Sequence, residues 1–131
     1  MDRTTLDAYL SHFNNKRYNE QAKFYAPDVT FQLPTLTIRG PDAIIRLYKE
    51  FHPCVNEHVE IEEAIFGDDK IFAVVPSRFE AVKDFKKYGL NFEAGKLYEN
   101  VSFCLWELKN DKFTRIRSAR HSSKVSDLTR P

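Results

Sequence analysis

The feature that most limits what this chain can fold into is a switch in apolar spacing near residue 52. Before it, apolar residues recur every three or four positions; after it, they alternate. Leu6, Tyr9, Leu10 and Phe13 mark a first helix over residues 4–14, with Thr4 or Thr5 as N-cap and Asn14-Asn15 as its break. A second, short helix spans residues 18–25, with Ala22, Phe24 and Tyr25 as its apolar members. Ala26-Pro27-Asp28 ends it, because the residue before a proline avoids the α conformation. Residues 29–33 alternate as a strand, and 36–38 form a second extended piece. Gly40-Pro41-Asp42 opens a third helix, whose stripe is Ile44, Ile45, Leu47, Tyr48 and Phe51. His52-Pro53 stops it.

The remainder reads as strands at 58–66, 71–85, 97–108 and 113–124, with turns at 67–70 and 109–112. A polar connection at 86–95 is a candidate lid. Three helices followed by a meander of long strands predict an α+β domain over residues 1–125, with a frayed tail at 126–131. Long antiparallel strands curl, and a curled sheet closed by helices is a cone with one open mouth. At 131 residues such a chain buries enough surface to fold unaided.

Composition narrows the function classes. Aromatic residues make up 14% of the chain, enough to fill a core and line an apolar cavity as well. The net charge is +1 with the signs interspersed, which argues against a nucleic-acid footprint or an anionic membrane surface. The basic stretch from Arg115 to Arg130 has no stacking motif beside it. No apolar run reaches the ~18 residues of a membrane span, and the amino terminus lacks the apolar core of a signal peptide. Cys54 and Cys104 form no cluster, so an intracellular, cytoplasmic protein with reduced thiols is expected. Four scattered histidines without ligand spacing predict no metal site.

The succession LDAYLSHFNNKRYNEQAKFYAPDVTF, LTIRGPDAIIRLYKEF, HVEIEEAIFGDDKIFAV and FCLWELKNDKFTRIRSARH resembles the SnoaL-like branch of the nuclear-transport-factor-2-like superfamily, over residues 3–122. The resemblance implies a cone-shaped, cystatin-like α+β barrel. It also implies polyketide cyclases, steroid isomerases, dehydratases and epoxide hydrolases as relatives, beside transport and scaffold proteins. Fold alone does not choose among these. Against the ketosteroid isomerases, Tyr9 falls at the oxyanion-binding tyrosine, Leu33 at the general-base aspartate and Cys104 at the second hydrogen-bonding acid. With no carboxylate at those places, the ketosteroid proton shuttle is excluded. The dehydratase histidine pair and the epoxide-hydrolase Asp-Arg-Asp set are not evident.

The same resemblance implies that Asn100, Ser102, Cys104 and Trp106 look into the cone, and that Val101, Phe103 and Leu105 make an apolar convex face. Such a patch suits a homodimer. On the last strand it turns Arg117, Ala119 and His121 inward, with Glu60, Glu62 or Glu80 as counter-charge. It also gives Arg39, at the cavity mouth, a part in binding a carboxylate or an enolate oxygen. Imidazoles titrate near neutrality, which makes His121 the candidate acid–base group. His12 shares a helix face with Tyr9, whereas His52 and His58 are read as structural. Cys104 is read as a cavity wall.

Two functions follow. One is a cofactor-free isomerase, cyclase or dehydratase acting on a hydrophobic carbonyl compound of polyketide or terpenoid type. In it Tyr9 and Arg39 hold an oxygen, while His121 and Arg117 move a proton. His12, Phe31, Phe51, Asn100, Cys104 and Trp106 contact the substrate, and Phe24 adds to the aromatic wall. The other is a non-catalytic ligand-binding or dimerising module. A nuclear-transport adaptor would need a docking groove, and none is identifiable.

Overall fold

The computed structural model describes residues 1–128. Helix α1 (Arg3–Asn14) is capped two or three residues earlier than the threonines suggest: the Asp2 carboxylate accepts from the Thr5 N–H at 2.9 Å and its hydroxyl at 2.8 Å. Leu6, Tyr9, Leu10 and Phe13 form its buried stripe. Helix α2 is a single turn (Tyr18–Ala22), and α3 (Pro41–Phe51) starts at Gly40, whose φ of 85° favours a residue without Cβ.

Seven strands follow or interleave these helices: β1 (Tyr25–Leu33), β2 (Leu36–Arg39), β3 (Val55–Val59), β4 (Glu63–Phe66), β5 (Lys70–Ala81), β6 (Lys96–Lys109) and β7 (Lys112–Asp127). Their order is β2-β1-β7-β6-β5-β3, with β4 also on β5. The sheet is mixed rather than a pure meander. All its pairs are antiparallel except β1 with β7, which run parallel. The α+β expectation stands: a curled sheet makes a half-barrel and the helices close it.

Four local departures from the expected elements are observed. Strand β1 begins at Tyr25 instead of after Asp28, and its register against β7 shifts between Tyr25 and Thr30, which accommodates a proline that cannot donate to the ladder. The strand expected over 58–66 is two strands on one edge of β5, bridged by Glu60 N–H to Pro76 O and Glu62 N–H to Val74 O. Strand β5 stops at Ala81, short of residue 85. Strand β7 pairs as far as Asp127, through Leu97↔Ser126 and Lys96↔Asp127, so Ser126 and Asp127 of the expected tail are in the sheet, and 129–131 lie outside the described residues.

The β6–β7 hairpin decides which side chains enter the cone. Asn110 and Asp111 take positive φ (52° and 60°), the twist a tight hairpin prefers. Leu108 pairs with Phe113 but Glu107 with Arg115, so Thr114 is an extra residue. Phe113 and Ile116 are therefore both buried, three positions apart, and the alternation beyond Thr114 is inverted. A second irregularity leaves His121 between Arg120, opposite Ser102, and Ser122, opposite Val101.

The core lies between α1, α3 and the concave face, with Leu6, Ile44, Ile71 and Phe113 fully buried. Asn14 ties the end of α1 to edge strand β3. Its amide donates to Val59 O at 2.9 Å, and its oxygen accepts from Val59 N at 2.9 Å.

Candidate active site

A cavity of about 180 Å³ opens between the helices and the concave face. Leu10, Phe13, Leu47 and Phe51 form the helical wall, and Val75, Phe79, Phe92, Trp106 and Ile116 form much of the rest. Few polar groups interrupt this surface, and two sets of them are organised.

The first is Tyr9. Its hydroxyl is 2.8 Å from the Tyr25 hydroxyl, which accepts a 2.8 Å bond from the Gln21 side-chain N–H. All three residues are buried. Burial pushes the Tyr9 hydroxyl well above its ordinary range, helped by Tyr25 and Tyr48 nearby. Burial also lifts Tyr25, to about 12, against the opposing bonds from Gln21 and Tyr9. Either hydroxyl can donate in the Tyr9–Tyr25 bond. When Tyr25 donates, the Tyr9 proton is free for an oxygen in the cavity.

The second is Glu57, the one carboxylate lining this cavity. Its Oε1 lies 3.0 Å from His52 Nε2, and His52 Nδ1 lies 2.9 Å from the Tyr18 hydroxyl. The side chains are 9% and 2% exposed for Glu57 and His52. A neutral imidazole protonated at Nε2 satisfies both bonds, donating to Glu57 and accepting from Tyr18. Tyr48 stacks on the His52 ring at 5.2 Å and Phe13 meets it edge-on at 5.9 Å, which holds its plane. The Glu57 charge also adds to the upward shift that burial imposes on Tyr48.

The expected site residues divide cleanly. Tyr9, Phe31, Phe51, Asn100, Cys104 and Trp106 line the cavity. Burial raises the Cys104 thiol to about 11, which suits a wall rather than a nucleophile. The Asn100 amide oxygen is buried without a hydrogen-bond partner. Arg117 and His121 do not face inward: the extra residue at Thr114 puts Ile116, Ser118 and Arg120 there instead. Arg117 pairs with Glu107 at 3.6 Å on the convex side, and His121 is exposed, stacked on Phe103 at 4.7 Å. Ala119, opposite Phe103, shares that face.

Arg39 is likewise off the cavity. It pairs with Thr30, next to inward-facing Phe31, and so lies on the outer face and exposed. His12 accepts a 2.9 Å bond from Arg17 Nε and sits beside Phe24 at 6.1 Å, outside the cavity. Phe24 packs behind Tyr9 at 5.3 Å. The expected counter-charges are all outside too: Glu60 pairs with His58 at 3.4 Å, Glu62 is exposed, and Glu80 bonds Asn56 at 3.1 Å. Alternation could have revealed Glu57, since Val55-x-Glu57-x-Val59 places it on a strand's buried side, but a strand started at residue 58 hides it.

Residues 86–95 lean over the mouth. Leu90 lines the cavity, Tyr88 and Lys87 bond Glu50 of α3, and an added Cβ at Gly89 would come within 3.2 Å of the Thr35 side chain. Among the described residues no three His, Cys, Asp or Glu side chains gather as a metal would need, and no helix is long and apolar enough to cross a membrane.

A SnoaL-like domain model matches residues 6–116. A protein from Xanthomonas campestris pv. campestris, described as a polyketide cyclase, superposes with a TM-score of 0.75 at 17% identity, covering 86% of this chain and 84% of that one. An LEH-like epoxide hydrolase from M. tuberculosis gives 0.70 at 12% identity over 88% and 78% of the chains. A computationally designed 17-OHP binder gives 0.73 at 13% identity over 92% and 94%. No curated protein matches the sequence.

Proposed function

The chain belongs to the SnoaL-like domain family, and from that premise we propose that its cavity is a cofactor-free acid–base site for a hydrophobic carbonyl compound, an isomerase, cyclase or dehydratase of polyketide or terpenoid intermediates. One observation carries the reading: an apolar cavity is lined by Tyr9, which is bonded to buried Tyr25 behind it, and by the Glu57 carboxylate, backed by a buried histidine. Tyr9 donates to the carbonyl oxygen and steadies the enolate that forms when a neighbouring carbon loses its proton. Tyr25 and Gln21 position Tyr9. Glu57 takes the proton and returns it, and His52 fixes the orientation of its carboxylate. Aromatic walls exclude water, and residues 86–95 cover the entrance.

The rival reading, a binding module without catalysis, draws support from Leu33 and Cys104. Both line the cavity where the ketosteroid-isomerase resemblance puts acids. Proton exchange distinguishes the two. Incubating cyclic ketones and enones in D₂O with the protein should label the carbon beside the carbonyl, and Glu57→Gln should abolish labelling. Ligand binding with no labelling above buffer would favour the module.

The reading extends to a homodimer through the convex face. Phe72, Val74, Phe103 and Leu105 form an apolar row there, with Phe72 38% and neighbouring Ile65 65% exposed. Phe103→Glu should then shift a sedimentation profile from dimer to monomer; an unchanged profile would remove the dimer.

A further inference from the structure

Arg120 is a cavity-lining cation that the reaction above leaves unused. It enters because the residue inserted at Thr114 turns Ser118 and Arg120 inward, where Arg120 stands opposite Ser102 on β6. On the outer face of the same strand, Arg115 and Arg117 sit 3.5 and 3.6 Å from Glu107. Arg120 has no such acid: among the described residues it makes no ion pair or side-chain hydrogen bond, and Glu57, the cavity's carboxylate, stands on β3, beyond β6 and β5, where His52 holds it. Two residues along β6 from Ser102, on the same face, Asn100 is 8% exposed and its amide oxygen has no partner. A guanidinium on the wall of an apolar cavity offers the paired N–H donors that a carboxylate accepts, whereas the orphaned Asn100 oxygen beside it is an acceptor that calls for a donor.

We propose that the ligand is an oxo acid or enone acid: its carbonyl meets Tyr9, and its carboxylate is received by Arg120. This rests on the acid–base reading of the cavity and adds the substrate class. Ser102, opposite Arg120, stands two residues, roughly 7 Å, along β6 from cavity-lining Cys104. Arg120 is exposed as well as cavity-lining, so it selects among ligands without being needed for the fold.

The test is titration calorimetry with a cyclohexenone carboxylic acid and its methyl ester, on the parent, Arg120→Met, Arg120→Lys and Tyr9→Phe. The parent should bind the acid about tenfold more tightly than the ester. Arg120→Met should bring the acid down to the ester's affinity, and Arg120→Lys should restore part of the difference. Tyr9→Phe should weaken acid and ester alike. Equal binding of the two by the parent, with Tyr9→Phe still weakening both, would overturn the acid class and leave the carbonyl site standing. A preference that survives Arg120→Met would also overturn it. Failure of the parent to bind either ligand would overturn both.

Discussion

The two faces of one sheet are built from the same strands, yet they solve opposite problems. On the concave face most side chains are apolar, and the tyrosine and carboxylate of the site are held in buried partnerships: Tyr9 with Tyr25 and Gln21, and Glu57 with His52 and Tyr18. On the convex face the charges neutralise one another at half-exposed positions, as Glu107 does with Arg115 and Arg117, beside an apolar row. Buried polar groups are costly unless partnered, so a carboxylate kept in an apolar cavity calls for a role. A salt bridge near the surface is worth little and calls for none. The comparison teaches that a residue's chemistry says less than the side of the strand it stands on.

The largest effect that could break this contrast is on turnover. Glu57→Gln keeps the shape and a hydrogen bond to His52 but removes the base, and should lower the rate of proton exchange about 10²–10⁴-fold. The convex changes Arg117→Ala and His121→Ala should leave it within about twofold. A large loss from either convex change would invalidate the division. Stability gives the next contrast. Trp106→Ala, at a site 4% exposed, should cost about 3–5 kcal/mol in urea unfolding. Phe72→Ala on the other face should cost about 1 kcal/mol in dilute solution.

Alkaline titration sharpens the picture of the concave side. Tyr25 ionises near its ordinary 10 when unfolded and at about 12 when folded. Above pH 10 the unfolded chain therefore binds fewer protons than the folded one, so stability falls as pH rises through that window. The loss attributable to Tyr25 is about 2 kcal/mol by pH 12, and Tyr25→Phe should flatten that part of the profile. The smallest effect is chemical. With its thiol raised to about 11, Cys104 should resist iodoacetamide at pH 8 in the native protein and react once denatured, as peptide mass mapping would show.

Much of the fold was legible because it rests on periodicity. The stripe Leu6, Tyr9, Leu10, Phe13 and the stripe of α3, apart from half-buried Ile45, are the buried faces observed. The β6 face was legible as well, with Asn100, Cys104 and Trp106 inward. The site on β7 was not. Alternation propagates a single inserted residue along the strand until the next irregularity, here at His121, and nothing in the local sequence around Thr114 announces the insertion. Arg117 and His121 consequently stood in for Ser118 and Arg120. The parallel β1–β7 pairing was hidden for a related reason, since it joins residues more than eighty positions apart. Glu57 was missed through a strand boundary set three residues late, and Arg39 because a loop position leaves the face of a short edge strand undetermined.

The central claim, that the concave tyrosine and carboxylate make the site and the convex charges do not, is tested most directly by ligand affinity. A cyclic enone should be titrated into the parent, Tyr9→Phe, and the Arg117→Ala/His121→Ala double variant. Loss of the Tyr9 hydrogen bond should weaken binding about tenfold, and the double variant should match the parent. Parent-like affinity in Tyr9→Phe, together with lost binding in the double variant, would contradict the account.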